Sequence, residues 1–425
     1  MDISAVRVKA FTGGAGCGKT HQLMLSLNAY LEAVPLSVGQ KVLALTFMHG
    51  SRRRLEERLG QIPTLQKRSD CSTIDSFAWR LVRRWQSLAA KRGHVDVQPN
   101  EYDRVCDAAG SLLQIEEVQA WVAATFPILL VDEAQDLTHN RLYLIQGLAQ
   151  RMQVFAAADE FQCLDEQLRP NPACCWLDQI SPCEELLQPQ RTDVAELLQA
   201  AASIRAGAPP ESGRFFKVQL TPTTPLAGAW INSNLCWYGG GKSVAVISPA
   251  YGSFAKGALA WSASNKTSKG AGPYKVEWEE SDAIASSTFA ARLALHETND
   301  IRYVAELLGN ASEPGTAREV LEWMDTQSRT RAKRSFQKEE IIQVIHRIFG
   351  RRRRDRKKEL LGWRGMTVHG AKNREFDNVI VIWPAAVAAS DEQKRRLLYN
   401  AVTRAKSRCI VLVQATAQLK QAPFT

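Results

Sequence analysis

Gly13-Gly14-Ala15-Gly16-Cys17-Gly18-Lys19-Thr20 decides how this chain is read. The octet meets the spacing G-x-x-x-x-G-K-[ST] in full, between a strand-like apolar run, Val6 to Phe11, and a helical stretch from about Lys19 to Glu32. Glycines here let the backbone N–H groups from Gly13 through Gly14, Ala15, Gly16, Cys17 and Gly18 turn inward around phosphate oxygens. The positive end of the following helix dipole faces the same point. Lys19 is then placed to reach the β- and γ-phosphates of a nucleotide, and Thr20 to ligate Mg²⁺. Kinases, transporters, GTPases and motors all use such a loop, so the rest of the chain must choose among them.

Outward from the loop, short apolar runs alternate with amphipathic stretches, the pattern of a parallel sheet flanked by helices. Lys41 to Phe47 reads as a buried strand, followed by a charged helix from Ser51 to Leu59. Ser72 to Ile74 leads into a helix from Ser76 to Leu88, and Pro127 to Val131 and Val154 to Ala158 are further strands. Ala206 to Gly213 has linker composition and divides the chain into domains 1–207 and 214–425. Beyond it, Ser243 to Ile247, Thr367 with Val368, Val379 to Trp383 and Cys409 to Val413 are candidate strands. A helix is expected from Gln393 to Ala405. The fold class is therefore α/β, with two P-loop-type domains.

The apolar run Ile128 to Val131 ends in Asp132-Glu133-Ala134-Gln135-Asp136. Ligands of open α/β sheets collect at the carboxyl ends of the strands, which puts this acidic group beside the glycine loop. Asp132 is expected to hold Mg²⁺ and Glu133 to polarise an attacking water as general base.

Composition agrees with a folded chain: 45% hydrophobic and 23% charged residues over 425 positions. The formal net charge of +10 favours polyanionic partners, nucleic acid foremost. No uncharged apolar stretch approaches the ~20 residues of a membrane span, and no secretory pattern opens the sequence. Nine scattered cysteines include no Cys-x-x-Cys pair, and no histidine is close enough to Cys163, Cys174, Cys175 and Cys183 to complete a zinc site. Reduced thiols and a cytoplasmic location are expected.

Taken together, these motifs resemble superfamily 1 helicases of the UvrD/Rep group over nearly the whole chain. Val42 to Phe47 looks like the family's motif Ia, which implies that Phe47 stacks on a base of single-stranded nucleic acid. Thr73-Ile74-Asp75-Ser76-Phe77 is similar to the next strand-contact motif, with Asp75 in place of the usual histidine. Asp132 to Asp136 matches motif II. Ala158 to Gln162 looks like motif III, implying that Gln162 senses the γ-phosphate, and Leu186 to Thr192 resembles motif IV with Arg191 as its phosphate-contacting arginine. Met366 to Phe376 resembles motif V, so that Glu375 would meet the ribose while Thr367 and His369 would lie along the strand with Thr73. Arg395 to Lys406 is close to motif VI and makes Arg404 an arginine finger. The resemblance implies two RecA-like domains that clamp ATP and Mg²⁺ and move along single-stranded DNA or ss/ds junctions, 3′ to 5′. The alternative is a DNA-stimulated regulatory ATPase serving a separate nuclease partner.

The chain departs from the family pattern in several places. No adenine-reading glutamine motif fits ahead of Gly13, and Pro189-Gln190-Arg191 replaces a base-stacking aromatic. Gln167 and Leu168 stand where a tryptophan and an arginine follow motif III, and Asn373 replaces a glycine of motif V. The family's inserts are reduced to about 80–126 in the first domain and a stretch within 251–364 in the second. The basic run Arg351 to Lys358, with Arg329, Arg331, Lys333 and Arg334 upstream, reads as a phosphate-binding patch. Trp79, Trp85, Trp237 and Trp261 are expected in the core, and Trp176 is expected to pack rather than stack on a base.

Overall fold

The computed structural model describes residues 7–47, 49–99, 101–239, 241–279, 282–309, 313–356 and 363–425. It divides into two compact units, 1–276 with 363–425, and 277–362. The first unit holds the strands of two parallel sheets described below, and a two-stranded antiparallel sheet, Thr298–Asn299 with Phe336–Gln337, lies in the second unit.

The first sheet is parallel throughout and runs β3 (Ser69–Thr73), β2 (Val42–Thr46), β4 (Ile128–Val131), β5 (Gln153–Ala158), β1 (Val8–Gly13), β6 (Glu184–Leu186). All residues of β2 and β4 are buried, as strands covered by helices on both faces require. Helices α1 (Lys19–Ala33), α2 (His49–Leu59), α3 (Ile74–Arg84), α4 (Tyr102–Leu112) and α5 (His139–Ala149) flank this sheet. Helix α3 shows why its boundaries fall where they do. Thr73 caps it by accepting from the Ser76 amide, Asp75 sits in the first turn, and Arg83 and Arg84 close the last.

Helix α6 (Ala195–Ala206) ends at Gly207 in the left-handed region and leads to the second parallel sheet. Its order contains β7 (Phe216–Leu220), β11 (Ala405–Val413), β10 (Phe376–Trp383), β8 (Val244–Ser248) and β9 (Arg364–Thr367). Helix α7 (Asp391–Val402), capped by Ser390, packs on this sheet with α6. Both sheets are RecA-like α/β layers, as the sequence led us to expect.

Several boundaries differ from the sequence reading. Val368 does not extend β9: Thr367 accepts from the Gly370 amide and caps a short helix, Val368–Ala371. The helix expected to reach Ala405 stops at Val402, and Ala405 already pairs with Phe376. The helix expected over Ser76 to Leu88 ends at Arg84, with a separate short helix at Gln86–Lys91. Strands β6 and β7 were not anticipated; both are short and half-exposed. Trp237 is exposed rather than core, with Arg408 lying 3.6 Å from its ring centre. Trp79, Trp85 and Trp176 are half-buried against the core of the first sheet.

Residues 277–362 form a helical unit around Val320, Met324, Phe336, Ile341 and Ile345. Within the unit Arg329 pairs with Asp325 and Lys333 with Glu340. Helix Lys338–Arg356 carries the start of the basic run, but the side chains from Arg351 onward lie outside the described residues, as does that of Arg331. Among the described residues no helix is long and apolar enough to cross a membrane.

Candidate active site and adjoining groove

Three carboxyl ends of the first sheet meet at one point. β1 delivers the glycine loop, β4 delivers Asp132 and Glu133, and β5 delivers Asp159. Gly16 (φ +81°) and Gly18 (φ +78°) are left-handed, and side chains there would strike Arg191 at 2.7 Å and Gln190 at 2.6 Å respectively. The loop therefore needs glycine both for its turn and for the close approach of the segment after β6. The Lys19 ammonium donates to Gly13 O (2.8 Å) and Gly14 O (2.9 Å), and Thr20 Oγ1 donates to Asp132 Oδ2 at 3.0 Å. The buried thiol of Cys17 is raised above its ordinary value by burial.

Asp132 and Glu133 are adjacent carboxylates in one buried place, and they separate. Burial, then the neighbouring Glu133, pushes Asp132 up to about 6. Burial acts on Glu133 in the same direction, but Lys372, Lys19, the Gln135 hydrogen bond and Arg404 together hold it below the usual carboxylate range. Glu133 also sits at φ +58°, a left-handed conformation costly for a side chain of this kind. Gln135 fixes it there: its Nε2 donates to Glu133 Oε2 (2.5 Å), while its Oε1 accepts from the Asp159 amide (2.9 Å).

The second sheet answers with the opposite edge. Glu375 and Arg404 each precede their strand, and Phe376 N donates to Arg404 O at 2.9 Å, holding the two positions side by side. Arg404 is fully buried; its Nη2 donates to Gln162 Oε1 (3.1 Å) and its Nε to Asn400 O (3.0 Å). Arg191 donates from Nε to Glu375 Oε1 (3.0 Å) and from Nη1 to Thr403 O (2.7 Å), and Lys406 holds the other Glu375 oxygen at 3.1 Å. Between the sheets lies a cavity of about 360 Å³. Its lining includes Lys19, Thr20, Asp132, Glu133, Gln162, Arg191, Glu375 and Lys406. Asn373 also faces it, at φ +61°, where asparagine tolerates the turn that a glycine usually makes. Arg54 and Arg58 of α2 add two further cations.

Sequence reasoning missed the groups that tie this cavity together. Asp159, fully buried, accepts from Gln162 Nε2 (2.6 Å) and Arg205 Nη1 (3.0 Å) and lies 3.8 Å from Lys19 Nζ. The hydroxyl of Tyr399, on α7, accepts from the Ala15 amide at 2.8 Å and lies 3.4 Å from Arg205. Only Asp159 had a local signal, standing three residues before Gln162.

A second cavity, about 500 Å³, adjoins the first through the loop after β4. Phe47, Asp136, Thr138, Asp165, His369 and Lys372 are among its walls. Phe47 and His369 thus come together, while Thr73 and Thr367 serve as helix caps and do not line this space. Burial, then Lys372, holds His369 below its ordinary value, so it meets the groove as a neutral ring. Lys372 donates to both oxygens of Asp136 at 2.5 and 2.6 Å, and both side chains are buried. Removing the cation as Lys372→Met leaves that carboxylate buried and unpaired, with an expected loss of about 3–5 kcal/mol in urea melts at neutral pH. Burial already raises Asp136. Without Lys372 the acid form is favoured further, so the deficit narrows as pH falls and Asp136 takes up its proton.

The residues fit a magnesium nucleotide. A glycine cradle, an ammonium and a hydroxyl–carboxylate pair 3.0 Å apart face one cavity that also presents arginine. The family described as AAA domain matches residues 2–166, and that described as UvrD-like helicase C-terminal domain matches residues 364–412. No curated protein matches the chain. Solved structures with some likeness include Arterivirus nonstructural protein 10 (helicase), at 12% identity and a TM-score of 0.40, covering 97% of this chain and 61% of that one. The same helicase in complex with DNA gives 13%, 0.40, 98% and 63%. The chain thus spans about three fifths of their length. The AAA-type match contains the glycine loop and the acidic pair, the UvrD-like helicase C-terminal match contains Glu375 and Arg404, and the chain thus carries both halves of a UvrD-like, ATP-hydrolysing helicase site.

Proposed function

We propose that this chain is an ATP-driven translocase that moves along single-stranded DNA, with the 3′-to-5′ polarity that the family resemblance implies. One observation carries the reading. Gln162 is shared: it donates to Asp159 on the glycine-loop side and accepts from Arg404 on the other. A γ-phosphate at Gln162 is therefore felt by both sheets at once.

In this reading Lys19 and the loop amides hold the β- and γ-phosphates, Glu375 meets the ribose, Arg191 faces the charge that develops on the transferred group, and Arg404, buried behind Gln162, would meet that charge on closure. Thr20 and Asp132 would hold Mg²⁺, which neutralises charge on the phosphate oxygens when bound. Glu133, kept ionised by its surrounding cations and aimed by Gln135, takes the proton from the attacking water. Phe47 and His369 grip bases in the adjoining groove. Lys372 and Asp136 line the groove, and Asp136 follows Glu133 by three residues.

The groove has Asp165, Glu166, Gln167 and Leu168 in its wall. Gln167 and Leu168 stand where the family has a tryptophan and an arginine, and this departure, with the reduced second insert, favours translocation, or a regulatory role beside a nuclease partner, over processive unwinding. ATPase rates with single-stranded DNA, duplex DNA and RNA at one salt concentration test the reading. Stimulation by single strands is expected, and equal rates with and without nucleic acid would overturn it. A tailed-duplex assay then separates a helicase from a translocating regulator. Phe47→Ala is expected to weaken single-strand binding by roughly 5- to 150-fold, the loss of one base stack worth about 1–3 kcal/mol.

A further inference from the structure

The motif that begins at Thr73 carries an acid where its family carries histidine, and the structure gives that acid a partner. Asp75 lies in the first turn of α3, and its Oδ1 accepts from Arg141 Nε (3.0 Å) and lies 2.8 Å from Arg141 Nη2. Arg141 Nη1 donates to Asp103 Oδ1 (3.1 Å) and to Thr138 Oγ1 (2.9 Å). The guanidinium is thus held from three elements: α3, α4 and the turn ahead of α5. Its carbon lies 5.3 Å from the centre of the Phe47 ring.

We propose that Arg141 is a positioning residue for nucleic-acid binding: Asp75 and Asp103 fix its guanidinium against Phe47, and this plate sets the ring at the angle on which a base of the single strand stacks. The inference rests on the groove reading above. A guanidinium is planar and its donors diverge in one plane, so bonds to Asp75, Asp103 and Thr138 fix the plane as well as the position. A cation against one face of an aromatic ring is attracted by the ring quadrupole and resists tilting of the ring. Arg141 is buried, a costly place for a charge when a leucine would fill similar space without that cost. Phe47 lies on the groove wall and Arg141 does not, so the arginine acts through the ring rather than on the strand. Asp103 also brings α4, within the reduced first-domain insert, into contact with the platform.

The test is a double-mutant cycle read as affinity for a short fluorescein-labelled oligothymidylate across a salt series. Arg141→Leu is expected to weaken binding about 3- to 10-fold in the Phe47 protein, a part of what a whole stack contributes. In the Phe47→Ala background it is expected to cost nothing more, because the ring it positions is gone. Arg141→Lys keeps the charge but loses the fork and is expected to recover only part of the affinity. The slope of log affinity against log salt should not change, whereas loss of a phosphate contact lowers it by about one. Equal weakening in both backgrounds, or a reduced salt slope, would overturn the proposal. So would normal affinity in Arg141→Leu where Phe47→Ala is weak. If Phe47→Ala itself binds normally, the groove reading falls first. Where Arg141→Leu does not fold, Asp103→Asn, on the more exposed partner, completes the same cycle.

Discussion

Lys19→Ala is expected to lower ATP turnover by at least about two orders of magnitude, with nucleic acid present or absent. Removing one preorganised donor from a developing oxyanion costs about 10²–10³ in rate. Here the lost group is a full charge that the loop already aims, through Gly13 O and Gly14 O, at its own mouth. Nucleotide affinity should fall as well, because the ammonium meets the phosphates in the ground state. The fold should survive. Asp159, the nearest acid at 3.8 Å, keeps its bonds from Gln162 and Arg205. Steady-state phosphate release, beside a thermal melt, checks both halves. Turnover within a few-fold of the parent would remove the glycine loop from the mechanism.

Arg404→Ala should separate the two effects that Lys19→Ala merges. An arginine finger contributes ~10³–10⁵ in rate, and it does so only where charge develops during transfer. Binding of nucleotide, measured with a fluorescent analogue, is expected to stay within about ten-fold while hydrolysis collapses by the finger's factor. Stability will also drop, since the side chain is fully buried and Asn400 O and Gln162 Oε1 lose their donor. Arg404→Lys keeps a charge and much of the volume, but a point charge cannot span Asn400 and Gln162 together. It should melt closer to the parent and still hydrolyse poorly. Full turnover in either variant would end the cleft mechanism.

The parts legible in the sequence are those whose signal is local. The glycine octet, the acidic pair after Ile128–Val131 and the stretch Arg395 to Lys406 each announce themselves by spacing within a dozen residues. The structure puts them at strand ends, as that spacing implies. What was not legible depends on partners far apart in the chain. Nothing near Lys372 indicates that Asp136 will neutralise it, and nothing near Arg205 or Tyr399 points to Asp159 or to Ala15. Asp75 read as a departure from a pattern, and only Arg141, 66 positions away, gives it a purpose. Strand β7 escaped notice because an edge strand buries one face poorly and lacks the unbroken apolar run of β4. The end of α7 was misplaced for another reason. Thr403 and Arg404 continue a helical pattern, yet Ala405 is pulled into a strand by pairing with Phe376.

The hydrogen bond from Ala15 N to the Tyr399 hydroxyl has a kinetic consequence. The loop rests with a placeholder in its grasp, so an arriving triphosphate performs an exchange rather than a simple addition, and capture should show two phases in a stopped-flow trace. The phenol hangs from the same helix that leads into Arg404. Displacing it would pull on the helix ahead of Arg404 before any phosphate bond is cut, so nucleotide arrival is expected to be felt at the finger as well as at the loop.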